Sequence, residues 1–129
     1  MREWLVKISY ELLMNPERAM DPSKILEDHN LPIQNKYLKS SLESLINNTR
    51  QIDEAIDANL EGRAPDRLYR LDRAILRVAF NEILFTKLAP VSVSINESVE
   101  IAKKYSSESS YKFINGVLSG LVKGKVEEG

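Results

Sequence analysis

The 129-residue chain has no cysteine, a single histidine, five glycines that never cluster and no long apolar run. Without cysteine, disulfides and thiol chemistry are excluded. With His29 alone, no zinc site built from His and Cys is available. The scattered glycines form no phosphate-cradling loop. No apolar stretch approaches the ~18 residues that span a bilayer. The N-terminus mixes acidic and basic residues in a helical pattern, unlike a signal peptide. The chain is therefore expected to be cytoplasmic, with no cofactor, no metal and no membrane partner. Enzyme signatures are also missing. His29 lies on a short polar segment beside Asp28, and no nucleophile sits near a plausible base. The carboxylate pairs Asp53-Glu54 and Glu127-Glu128 are sequence neighbours that point to different helix faces, so they read as solvated charge.

What remains is an ordinary globular composition, 43% hydrophobic and 29% charged, expected to form one domain over residues 1–129. A net charge of −1 argues against strong non-specific binding to nucleic acid. Residues 1–64 hold 8 basic and 11 acidic side chains and residues 65–129 hold 10 and 8. This imbalance is too small to decide anything.

The hydrophobic spacing is helical throughout, with no strand-like alternation. Over residues 2–14, Trp4, Leu5, Ile8, Leu12 and Leu13 share a stripe that stops before Pro16. Asp21-Pro22 reads as an N-cap followed by proline at the first helical position, opening a short helix to His29. Pro32 precedes a long helix over about 33–60, striped by Leu38, Leu42, Leu45, Thr49, Ile52 and Ile56, which Gly62 and Pro65 end. The next helix, about 66–88, is apolar on nearly all sides and should be central. Glu82 falls within its apolar zone and must be hydrogen-bonded or paired. After Pro90 come helices at about 92–104, capped by Ser94 with Glu97 or by Ser92, and 108–123, capped from Ser106-Ser107. The charged end, Lys123 to Gly129, should fray.

Arg63, Arg67, Arg70, Arg73 and Arg77 recur every three or four residues. They suit either phosphate contacts or a network with Asp66 and Asp72, the simpler reading for Arg67 and Arg70. Phe113 lies one position off the stripe of Tyr111, Ile114, Leu118 and Leu121, so it suits either the core or stacking on an RNA base.

From Leu71 to Leu118 the chain resembles the NusB antitermination factor family. The resemblance rests on Ala74-Ile75-Leu76-Arg77-Val78-Ala79, Glu82, Pro90-Val91, Ile95-Asn96-Glu97, Ala102-Lys103 and Lys112-Phe113-Ile114-Asn115-Gly116-Val117-Leu118. Upstream it continues as pattern only. It implies an all-α domain of six to seven helices arranged as two packed antiparallel bundles. It also implies binding of single-stranded, boxA-like RNA of ribosomal RNA leader transcripts. A small-subunit ribosomal protein would share that RNA within an RNA polymerase antitermination complex. The implied RNA-binding residues are Arg2, Ser109, Lys112 and Phe113. The implied partner-binding residues are Tyr10, Glu11 and Asp72, and a homodimer through that same surface is an open alternative. Relatives carry several arginines before the position of Arg2, an acidic residue at Ser109 and often a tyrosine at Asn81. Ser109 relieves repulsion from phosphate, but the missing arginines predict weaker RNA binding, with the protein partner supplying more of the affinity. The second expectation is a protein-interaction module on the same fold with weak or lost RNA binding.

Overall fold

The structure is a computed structural model that describes residues 2–19, 21–60 and 68–128, with side chains to Lys123. Seven α-helices and no strands are found among these residues: α1 (Arg2–Met14), α2 (Pro22–Asp28), α3 (Lys36–Asn47), α4 (Thr49–Ala58), α5 (Arg70–Asn81), α6 (Val91–Tyr105) and α7 (Glu108–Glu128). They form two packed antiparallel bundles that share α5. It meets α1, α3 and α4 in one group and α6 and α7 in the other. Gly62, Arg63, Pro65, Asp66 and Arg67, which figured in the expectations above, lie outside the described residues.

The centrality of α5 follows from its composition. Ala74, Ile75, Leu76, Val78, Ala79 and Phe80 are all buried, and full burial of each large side chain stabilises by about 1.5–3 kcal/mol. Where α5 carries polar groups inward, neighbours satisfy them. The Asn81 amide donates to the Ser41 carbonyl at 3.0 Å and accepts from the Ser44 hydroxyl at 2.6 Å, joining α5 to α3. Ser9 on α1 donates to the Ala74 carbonyl at 3.1 Å.

Helix α2 starts as its sequence dictates. The Asp21 carboxylate accepts from the Ser23 N–H at 3.0 Å, with Pro22 in the first turn. It ends in a Schellman pairing, Leu31 N–H to the Leu26 carbonyl at 2.8 Å and Asn30 N–H to the Glu27 carbonyl at 2.9 Å. Asn30 takes the left-handed position with φ 55°.

Three expectations are corrected. The long third helix breaks at Asn48, giving α3 and α4. There the Asn48 amide and the Thr49 hydroxyl bond the Ser44 and Leu45 carbonyls at 2.9 and 2.6 Å, local bonding that bends helices. Neither Ser92 nor Ser94 caps α6. The helix begins on Pro90 without a side-chain cap, and the Ser94 hydroxyl is buried without a partner. The last helix, expected to end at about residue 123, continues as α7 to Glu128.

Helix α5 also ends differently. Glu82–Thr86 form a wider π turn closed by Lys87 N–H to the Glu82 carbonyl at 2.8 Å. Lys87 follows at φ 50°, a conformation costly for any side chain with a Cβ. Lys87→Gly is expected to raise stability by about 0.5–1 kcal/mol. A higher urea midpoint at unchanged slope would show it.

Candidate nucleic-acid and partner interface

Two surfaces gather the residues singled out from the sequence. The first is the start of α7. The Ser107 hydroxyl accepts from the Ser110 N–H at 3.2 Å and caps the helix. On the first two turns Ser109 and Lys112 are exposed, while Phe113 is half-buried against the core. Phe113 packs against the core and stays partly exposed, which is compatible with either earlier reading. Lys112 pairs with Glu108 at 2.9 Å, but both side chains are well exposed. Such a bridge is worth ~0–1 kcal/mol and yields readily to a stronger anion.

Asp72 reaches this turn from below. It is only 3% exposed. Its carboxylate accepts from Ser110 at 3.1 Å and, more loosely, from Ser106 at 3.5 Å. Among the described residues no cation pairs with it. Burial pushes its pKa above the ordinary carboxylate value, and the two serine hydroxyls only partly offset that. A carboxyl raised on folding binds its proton more tightly in the native state. Stability therefore falls as pH rises from the unfolded value, about 4, through the raised native one. Compared with Asp72→Asn, the wild type should lose stability across that window in denaturant titrations at stepped pH.

The second surface is a largely apolar groove of about 600 Å3 lined by Trp4, Tyr10, Leu71, Ile101 and Tyr105, with Lys7, Glu11 and His29 at its edge. Trp4, Tyr10 and Tyr105 are 37%, 38% and 45% exposed, an unusual concentration of accessible rings. The His29 ring lies 5.6 Å from Trp4, and its Nε2 is 2.8 Å from Glu11. Lys7 sits over the Trp4 ring at 4.8 Å. Tyr10 and Glu11 are thus brought together on one groove. Asp72 is not on it, because it turns inward while its neighbour Leu71 lines the wall.

Arg2 stands apart from the α7 residues. Its Nε donates to Glu82 at 2.9 Å, and its guanidinium lies 5.5 Å from the Tyr37 ring centre. The Tyr37 hydroxyl donates to the other Glu82 oxygen. Glu82, fully buried, therefore braces three helix ends. Burial opposes the Arg2 charge, but hydrogen bonding and attraction from Glu82 outweigh it and raise its pKa. Burial and the adjoining carboxylate keep the Tyr37 phenol protonated far above its usual range. Arg2 also borders a cleft of about 830 Å3 with Val93, Glu97 and Lys103, and Lys103 lies 5.1 Å from the Tyr111 ring centre.

The arginine flank of α5 is structural at Arg73 and Arg77, whereas Arg70 is exposed and, among the described residues, no ion pair joins it to Asp72 as expected. Arg77 grips both Asp53 oxygens, at 2.9 and 2.7 Å, and Arg73 reaches Asp53 at 3.4 Å and Asp57 at 2.8 Å. Asp53 is thus an anchor between α4 and α5, not solvated charge. The Glu127-Glu128 side chains lie outside the described ones. Sequence reasoning missed Tyr37 and Tyr105 and put Trp4 in the core. The only hint was an aromatic ring with a polar tip near a helix end.

A polar helix start and a separate aromatic groove thus lie on one all-helical scaffold. Residues 1–123 match the NusB family model. The chain belongs to the NusB family of transcription antitermination factors. It is 38% identical over 133 residues to the Transcription antitermination protein NusB of Thermoanaerobacter sp. (strain X514), covering 99% of this chain and 92% of that one. It is 34% identical over 129 residues to the protein of that name from Ruminiclostridium cellulolyticum, covering 98% and 89%. Its fold matches T. maritima NusB with a TM-score of 0.75 at 33% identity, over 92% of this chain and 85% of that one. No helix among the described residues is long and apolar enough to cross a membrane.

Proposed function

We propose that this protein binds boxA-type single-stranded RNA of ribosomal RNA leaders through the start of α7. In this reading it acts in the cytoplasm with a small-subunit ribosomal protein seated on the aromatic groove, as part of an antitermination complex around RNA polymerase. The observation that carries the reading is the separation of the two surfaces. Lys112 and Phe113 offer a cation and a ring on one, and Tyr10 and Glu11 line the apolar groove of the other. A cation beside an accessible ring is what phosphate contact and base stacking require. Exposed aromatics around a concave apolar floor are what a protein anchor requires.

The test is binding of a labelled boxA-type RNA with and without the cognate ribosomal protein, at two salt concentrations. Salt-sensitive binding that strengthens with the partner supports the proposal. Lys112→Ala should flatten the salt dependence by about 0.7 log units per log unit of salt, the share of one single-strand phosphate contact. Tyr10→Ala should weaken the protein partner at least ~30-fold, about 2 kcal/mol, and leave RNA binding alone little changed.

A second reading, an interaction module with weak or lost RNA binding, is favoured by the engagement of Arg2 with the buried Glu82. Partner binding with no RNA signal in either salt would select it.

A further inference from the structure

The four serines before and within the first turn of α7 have a direction. A hydroxyl has one proton to give, and a carboxylate only accepts. Ser110 lies 3.1 Å from Asp72 and gives its proton there. The Ser107 hydroxyl, 3.2 Å from Ser110, donates to the Ser110 oxygen. With its proton spent, Ser107 is left to accept, both from the Ser110 N–H and from Ser109 at 3.0 Å. Ser109 is exposed. Its proton is turned inward and its lone pairs outward.

Asp72 is a costly way to cap a helix. Among the described residues it is a buried carboxylate without a cation, while Ser107 already supplies the cap. Its distinct effect is the polarity it imposes on the hydroxyl chain. We propose that Asp72 is a positioning residue for RNA recognition: through Ser110 and Ser107 it presents the Ser109 oxygen as an acceptor. That oxygen suits a nucleobase amine or a 2′-hydroxyl, which donate, and not a phosphate, which only accepts. The proposal rests on the reading of the α7 start as the RNA face.

The experiment measures affinity for a boxA-type single-stranded RNA by fluorescence anisotropy at two salt concentrations. It compares the full-length wild type with Asp72→Leu, which has no acceptor for Ser110, Ser109→Ala, the double variant, and Lys112→Ala as a control. Asp72→Leu and Ser109→Ala should each weaken binding about 3–10-fold, the loss of one hydrogen bond. The double variant should bind no more weakly than either single one, because both remove the same contact. Salt slopes should stay at the wild-type value, and Asp72→Asn, whose amide oxygen still accepts from Ser110, should bind RNA better than Asp72→Leu. Additive losses, a flattened slope for Ser109→Ala, or wild-type affinity for a folded Asp72→Leu would overturn the positioning role. If Lys112→Ala still weakens binding in that case, the RNA-face reading survives alone. A wild type that binds no RNA overturns both.

Discussion

Glu82→Ala is expected to destabilise the protein by about 3 kcal/mol, near the lower end for breaking a buried ion pair. For a chain of this length that corresponds to a drop of roughly 10 °C in melting temperature. The carboxylate is fully buried and answers Arg2 with one oxygen and Tyr37 with the other. Its removal leaves the Tyr37 hydroxyl without its acceptor and Arg2 without its counter-charge. Arg2, with 16% of its side chain exposed, is able to swing to water, which keeps the loss from the upper end of the range. Glu82→Gln retains an acceptor for Tyr37 and should lose less. Thermal and urea unfolding of the two variants side by side would check the order. Equal losses would mean that the charge of Glu82, more than its bond to Tyr37, holds the three helix ends.

Phe113→Ala is expected to weaken RNA binding by about 1–3 kcal/mol, the usual contribution of one ring–base stack. That is roughly 5–150-fold. Phe113 also packs against the core, so alanine removes support from α7 as well as the stack. Phe113→Leu separates the two effects. Leucine restores most of the packing, and a π face is still missing. If stacking dominates, the leucine variant should melt near wild type while binding RNA almost as poorly as the alanine variant. Recovery of RNA affinity with leucine would reassign Phe113 to the core.

The parts of the fold legible in the sequence depended on local chemistry. Asp21-Pro22 announced α2, Ser107 announced the cap of α7, and the all-round apolar character of residues 74–80 marked the central helix. The misreadings lie where local and tertiary demands compete. The stripe through Thr49 runs unbroken in the sequence, yet the Asn48 and Thr49 side chains take helix carbonyls and break the helix. Trp4 keeps helical spacing with Ile8, yet Leu5 takes the inward place and Trp4 is left on the groove. Periodicity places a residue on a face but cannot say which edge of the stripe is covered. The candidate site was legible through its resemblance to a family, which brought Lys112, Phe113, Tyr10 and Glu11 forward. Partnerships across 34 to 80 residues, Asp72 with Ser106 and Arg2 with Glu82, leave no trace in local spacing. They turned two residues expected at the surface into internal braces.

The docking of α1 on α5 also bears on how the chain is made. Ser9 meets Ala74, 65 residues later, and Arg2 meets Glu82, 80 residues later. A nascent chain emerging N-terminus first, at ~5–20 residues per second, holds the apolar side of α1 for roughly 3–13 s before α5 exists to cover it. During that interval Leu5, Ile8 and Leu12 are a sticky segment on the ribosome, and closure of the N-terminal bundle must wait for more than half the protein to be synthesised. The helix that organises the finished molecule is thus also the timer of its birth.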